Sequence, residues 1–253
     1  MTPYTPLPLQ SPIDLGHALP ITLTLPPSAI SIAWASVIGG EIREGDHGPE
    51  VFFDDSTATM DVQLPGQAQA TRFILVKLHF HHESEHRING VRSPLELHIV
   101  HKTTEPNPFS WGQTREIYAV LGVLVEGGGQ KGSSDDALRK LIGRIKEAGL
   151  AEPSDTKRST RLEEPLNPND LVPFDPTTPL TNQPLWRYEG SLTSKTHEPN
   201  TGYVSWVVLQ PKLRVTDETL AEWNVLKHEA KASQPLDRRF VFYNPGEKAG
   251  GVV

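Results

Sequence analysis

Residues 79–101 read HFHHESEHRINGVRSPLELHIVH, and six of the chain's ten histidines (His79, His81, His82, His86, His98 and His101) fall within these 23 positions. The run from Phe73 to His82 is rich in β-branched and aromatic residues and reads as a strand. Alternation then sends His79 and His81 to one face and Leu78 and Phe80 to the other. Their Cα atoms would stand about 6.5 Å apart, a spacing from which two imidazoles converge on one metal ion. Arg87 to Pro94 is turn-like, and Asn89-Gly90 is a strong hairpin signal. The chain returns as Leu95 to Val100, with Glu96, His98 and Val100 on a common face, so His98 offers a third imidazole from the neighbouring strand. Three neutral ligands leave a metal's charge undiminished and one coordination position open, which is the pattern of catalytic zinc. Spacing alone also fits surface histidines, satisfied core histidines or a hydrogen-bonded polar network.

Outward from this stretch, Ile21 to Leu25, Ile117 to Val125, Tyr203 to Leu209 and Phe240 to Tyr243 also read as strands. Two helices interrupt them. Ser134 is placed to cap one, in which Leu138, Leu141, Ile142 and Ile145 form an apolar stripe ending before Gly149. Thr216 is placed to cap the other, with Val215 and Leu220 as a hydrophobic staple and Trp223 on the same face as Leu220. The Pro-, Asn- and Asp-rich segment from Ala151 to Pro184 reads as a long surface loop. No internal repeat is present. The expectation is a mainly β fold: one large twisted, mostly antiparallel central sheet with a few short surface helices, in a single domain spanning 1–253.

The composition narrows the chemistry. The 253 residues include 20 glycines and 23 prolines but no cysteine, excluding a disulfide scaffold, a thiolate metal site and a cysteine nucleophile. Any metal must be held by His, Asp or Glu. A formal charge of −7 without a Lys/Arg cluster argues against a nucleic-acid partner. No apolar run approaches the roughly 20 residues that span a bilayer, so no membrane partner is expected. MTPYTPLPLQSP lacks the basic and apolar regions of a signal peptide. The cytoplasm is therefore the favoured compartment, although a mature secreted or periplasmic form would read the same.

At the histidine cluster the sequence resembles the α-class carbonic anhydrases. The resemblance is carried by His79-Phe80-His81, Ser84-Glu85-His86 and Leu95-Glu96-Leu97-His98-Ile99-Val100-His101. Further pieces follow in order: Gln10-Ser11-Pro12-Ile13-Asp14-Leu15, Ala119-Val120-Leu121-Gly122, Asn167 to Pro173, Tyr188 to Thr193 with Val204-Ser205-Trp206, and Gln234-Pro235-Leu236. The likeness runs from about residue 10 to 241, leaving a short arm (1–9) and a tail (244–253). It implies Zn2+ held by His79, His81 and His98. The implied reaction is reversible hydration of carbon dioxide to bicarbonate and a proton by zinc-bound hydroxide, with sulfonamides and anions as expected inhibitors. It also implies that Thr193 passes its proton to Glu85, an acceptor-only carboxylate, and so orients the attacking oxygen. Glu96 would accept from the other ring nitrogen of His98. Val100, Val120, Leu192, Ser194, Val204 and Trp206 would line the substrate pocket, and His47 or His197 would shuttle the proton.

Several positions depart from the family pattern. Lys77 replaces a usual Gln two residues before the first ligand; it has three donors and no acceptor, and its ammonium would add positive charge beside the metal. His82 replaces a usual Trp, and alternation sends it away from His81. The segment Ser194 to Asn200 is longer and more polar than usual, and Glu229 and Lys231 stand where Asn and Arg are common. Many secreted relatives tie the N-terminal region to the active-site loop by a disulfide; without cysteine, both regions are expected to be held by packing alone. These departures leave two other functions open: a zinc enzyme of the same fold acting on a larger ester or carbonyl substrate, and a non-catalytic binding module.

Overall fold

Apolar residues alternate with histidines over Leu78–His81, whereas Ile117–Glu126 is apolar almost throughout, and the computed structural model shows what each face meets. It describes residues 9–34, 37–45, 48–54, 57–103, 117–152, 158–194, 203–226 and 230–246. The strands are β1 (Ile21–Thr22), β2 (Ile30–Ala33), β3 (Gly40–Gly45), β4 (Gly48–Phe53), β5 (Thr59–Val62), β6 (Thr71–His82), β7 (Arg87–Ile88) and β8 (Val91–Arg92). They continue as β9 (Leu95–Lys102), β10 (Ile117–Glu126), β11 (Ser159–Arg161), β12 (Leu185–Ser191), β13 (Tyr203–Leu209), β14 (Leu213–Arg214) and β15 (Val241–Asn244). Two α-helices lie among the described residues, α1 (Ser133–Glu147) and α2 (Asp217–Glu222).

One 13-stranded sheet runs in the order β1-β15-β12-β13-β10-β9-β6-β4-β3-β11, with β2, β5 and β14 attached beside it. Most ladders are antiparallel, as expected, but the sheet is mixed: β10 pairs parallel with β13 and β14, and β1 pairs parallel with β15. The turn at Asn89-Gly90 joins β7 to β8, both residues having positive φ (52° and 79°). That geometry belongs to a type I′ hairpin, for which Asn-Gly is suited.

Leu78 and Phe80 of β6, Leu97 and Ile99 of β9, Leu121 and Val123 of β10, and Val207 and Leu209 of β13 share the larger core. Leu138, Leu141, Ile142 and Ile145 of α1 pack into the same core, so the helix stripe has the partner its period required. The opposite face carries His79, His81 and His98 and a smaller cluster that includes Val100, Val120, Val204 and Trp206. One sheet therefore separates a helix-covered core from the functional face.

Some local expectations are corrected. Gly132, not Ser134, occupies the cap position of α1, without a side-chain capping bond. Thr216 does cap α2, accepting from the Thr219 backbone N–H. The segment 151–184 is not simply a surface loop: β11 pairs with β3, and Leu166, Leu171, Val172 and Leu180 are buried. Its apolar residues find the sheet's large core despite the turn-forming composition. Nor is the N-terminal region held by packing alone. Ser11 N donates to Ser191 Oγ at 3.0 Å, and Ser191 N donates to Ser11 Oγ at 3.2 Å.

His101 sits on the core face of β9, fully buried, with its Nε2 accepting from the Trp34 indole at 3.1 Å. An indole N–H can only donate, so His101 must be neutral. Burial lowers its pKa from an ordinary 6.5 to about 4. The neutral form is favoured in the fold, so stability is full above pH 6.5 and falls as pH drops from there towards 4, by on the order of 3 kcal/mol. Replacing His101 with Phe is expected to flatten that part of the pH–stability curve; urea unfolding at pH 7, 6, 5 and 4 measures it, and equal slopes in both proteins would refute the assignment.

Candidate metal centre

β6 and β9 lie side by side with His79 opposite His98 and His81 opposite Glu96. The strand period then places all three imidazoles on one face. His98 Nδ1 lies 3.2 Å from His79 Nε2 and 3.2 Å from His81 Nε2, and all three residues are buried. The rings are inclined at 53–87° to one another, so their nitrogens converge instead of the rings stacking. A tetrahedral zinc with bonds of about 2.0–2.1 Å sets neighbouring ligand atoms roughly 3.3–3.4 Å apart. The observed spacing and the all-imidazole donor set fit such an ion.

Glu96 decides which nitrogen of His98 points inward. Its Oε1 lies 3.0 Å from His98 Nε2; a carboxylate only accepts, so Nε2 carries the proton and Nδ1 keeps its lone pair towards the centre. The same Oε1 accepts from His86 Nδ1 at 2.7 Å, and Oε2 accepts from the His86 backbone N–H at 2.9 Å. Burial pushes the Glu96 carboxyl upward, but His86 and His98 outweigh it and hold the group well below the ordinary carboxylate range. Gly122 makes room for it: a Cβ there would lie 3.2 Å from Glu96 Oε1 and 3.3 Å from Val208. His86 Nε2 in turn meets the Tyr188 hydroxyl at 2.7 Å, and that hydroxyl meets Ser11 Oγ at 3.2 Å. His86, Glu96 and His98 are close enough to form a second three-donor group, but their facing atoms are engaged in these hydrogen bonds. They brace the first group.

Sequence reasoning did not assign roles to His86, Tyr188 or Ser11. The signal was present in Ser84-Glu85-His86, Tyr188-Glu189-Gly190 and Gln10-Ser11-Pro12, but their mutual contact spans up to 177 positions and no local period reports it.

Glu85 is buried, with Oε1 accepting from the Lys231 backbone N–H at 3.1 Å. Among the described residues its Oε2 has no hydrogen-bond partner, and it lies 3.4 Å from His81 Nε2 and 4.0 Å from His98 Nδ1. Among the described residues no hydrogen bond joins Thr193 to Glu85: the Lys231 backbone engages one carboxylate oxygen and the other faces the imidazoles. Thr193 and Ser194 are both buried just beyond β12. Lys77 also differs from expectation. Its ammonium donates to Glu50 Oε2 at 2.7 Å and lies 5.6 Å from the Phe52 ring centre, so its charge is compensated. His82 points away, its Nε2 2.9 Å from Asn224 Oδ1, as alternation required. His47 and His197 lie outside the described residues.

Leu192 packs against the cluster of Val100, Val120, Val204 and Trp206, and the Trp206 ring lies 4.8 Å from that of His98. A polar, ligand-bearing floor thus adjoins an apolar wall. The sequence model for eukaryotic-type carbonic anhydrase matches residues 4–244. The chain belongs to the α-carbonic anhydrase family. Among relatives, mouse carbonic anhydrase 1 is 29% identical over 233 residues, covering 88% of this chain and 79% of the relative. The α-carbonic anhydrase of Thermovibrio ammonificans, solved with the inhibitor sulfanilamide, is 26% identical with a TM-score of 0.69, covering 92% of this chain and 86% of that one. Dioscorin, solved with ascorbate, superposes with a TM-score of 0.70 over 95% of this chain and 87% of its own. At 22% identity that likeness is one of fold.

For this carbonic anhydrase relative, Glu96→Ala is expected to weaken zinc binding about 10–100-fold, because His98 loses the acceptor that fixes its tautomer. Competition with a chelator of known affinity measures this, with circular dichroism reporting the fold; unchanged affinity in a folded variant would contradict it.

Proposed function

We propose that this protein is a zinc-dependent carbonic anhydrase catalysing the reversible hydration of carbon dioxide to bicarbonate and a proton. The observation that carries the reading is the convergence of His79 Nε2, His81 Nε2 and His98 Nδ1 at 3.2 Å spacings, with Glu96 fixing the inward lone pair of His98. A bound zinc would supply Lewis acidity, lowering the pKa of a coordinated water to about 7.

The chain's own groups divide the remaining work. Val100, Val120, Leu192, Val204 and Trp206 offer an apolar wall to carbon dioxide, which has no charge and little need of hydrogen bonds, and they keep bulk water from the imidazoles. Low local polarity strengthens every electrostatic interaction in the cleft. Glu85 Oε2, buried and without a hydrogen-bond partner among the described residues, is available to accept the Thr193 hydroxyl proton. With its proton committed to Glu85, Thr193 Oγ1 would act only as an acceptor towards the attacking oxygen and so turn that oxygen's lone pair to the carbon. His47 and His197 are the candidates for exporting the proton.

The Lys77–Glu50 ion pair on the cleft face supports a second reading, in which the same centre acts on a larger ester or carbonyl compound that the pair helps to orient. The two readings separate in one preparation. Zinc content near one per chain, carbon dioxide hydration well above the buffer rate and its suppression by a sulfonamide are the outcomes expected of the first. Hydration at the buffer rate with turnover of a bulky ester would favour the second. His81→Ala is expected to lose both metal and activity, whereas Thr193→Ala should keep its zinc and lose about 100-fold in kcat/KM, the scale of a misaligned reactant.

A further inference from the structure

β4 carries a buried carboxylate that the reaction above does not use. Glu50 is 3% exposed, and Lys77 satisfies only its Oε2. Oε1 is buried and makes no hydrogen bond among the described residues. An ionised oxygen kept from water in this way calls for a donor. Glu50 is the cross-strand partner of His79, so both side chains leave the same face of adjacent strands, with Cβ atoms about 4.5–5.5 Å apart. His79 meets the other imidazoles through Nε2, which leaves Nδ1 as its outward nitrogen. A metal-bound imidazole almost always donates its second N–H to a carboxylate, a carbonyl or water. Lys77, on the same strand, has only donors to offer, and from its own rung opposite Phe52 it reaches across to Glu50.

We propose that Glu50 is the positioning residue for His79, accepting a hydrogen bond from its Nδ1–H on Oε1 in the metal-loaded protein while Lys77 clamps the opposite oxygen. The inference rests on the metal reading above and deepens it. Two of the three ligands would then be braced by carboxylates, His98 by Glu96 and His79 by Glu50. The Glu50–Lys77 pair brings this acceptor in from a different strand, because position 77 itself holds no acceptor.

The test uses zinc-loaded wild type and the variants Glu50→Ala, Glu50→Asp and Glu50→Gln. Zinc transfer to excess chelator and the downfield imidazole N–H signals in proton NMR are read on each. Glu50→Ala is expected to release zinc about 10–100-fold faster and to lose one imidazole N–H signal. Glu50→Asp keeps the charge but not the reach, and should lose the same signal. Glu50→Gln retains only one acceptor oxygen, so it is combined with Lys77→Met, which frees that oxygen for His79; the release rate should then stay within a few-fold of wild type with the signal present. Should Glu50→Ala not fold, the contrast between Asp and Gln decides. Wild-type zinc release and a complete set of N–H signals in Glu50→Asp, with His81→Ala taking up no zinc, would overturn the role of Glu50 and leave the metal centre standing. A wild-type protein that takes up no zinc would overturn both.

Discussion

The Glu96 carboxylate, sealed from water and surrounded by three N–H groups, is the constraint on which the centre depends. A bare buried carboxylate costs several kcal/mol, and here two imidazoles and one amide offset that cost. Each consequence is directional. His98 is left with its lone pair facing inward, His86 is pinned between Glu96 and Tyr188, and a side chain at Gly122 of β10 would crowd the carboxylate. Deleting any one partner would leave the others facing a charge without its full set of donors. The arrangement therefore behaves as a unit, and its geometry passes to the imidazoles as a fixed orientation.

The face that bears His79, His81 and His98 has two characters meeting at these residues. Towards β10 and β13 it is apolar, through Val100, Val120, Val204 and Trp206. Towards β4 it carries Glu50, Lys77 and Phe52, where an ion pair lies against an aromatic ring. The division follows from strand order: neighbouring strands contribute residues of one face in sequence, so polarity changes strand by strand across the sheet.

Much of this was legible in the chain because a strand's period is short. His79 and His81 had to share a face, Asn89-Gly90 announced the reversal, and His98 had to return beside them. The Thr216 cap was equally local. What escaped were pairings whose partners lie far apart. Nothing near Ile117 says that β13 will run parallel to it, and nothing near Lys77 says that its ammonium will seek Glu50, 27 positions earlier, on another strand. The orientation of Glu85 escaped for the same reason, since it is set by the Lys231 backbone 146 positions away. The segment 151–184 misled because turn-forming residues mask the few leucines that enter the core.

Ser11 and Ser191 exchange hydrogen bonds across 180 positions, and no covalent link supports them. Two such bonds are worth roughly 1–3 kcal/mol net. Unlike a crosslink, they place no restriction on the unfolded chain and do not respond to the thiol–disulfide balance of the surroundings. The N-terminal segment and the end of β12 are thus joined by a latch: it closes only after the sheet has brought both serines together, and it can open without the rest of the protein unfolding.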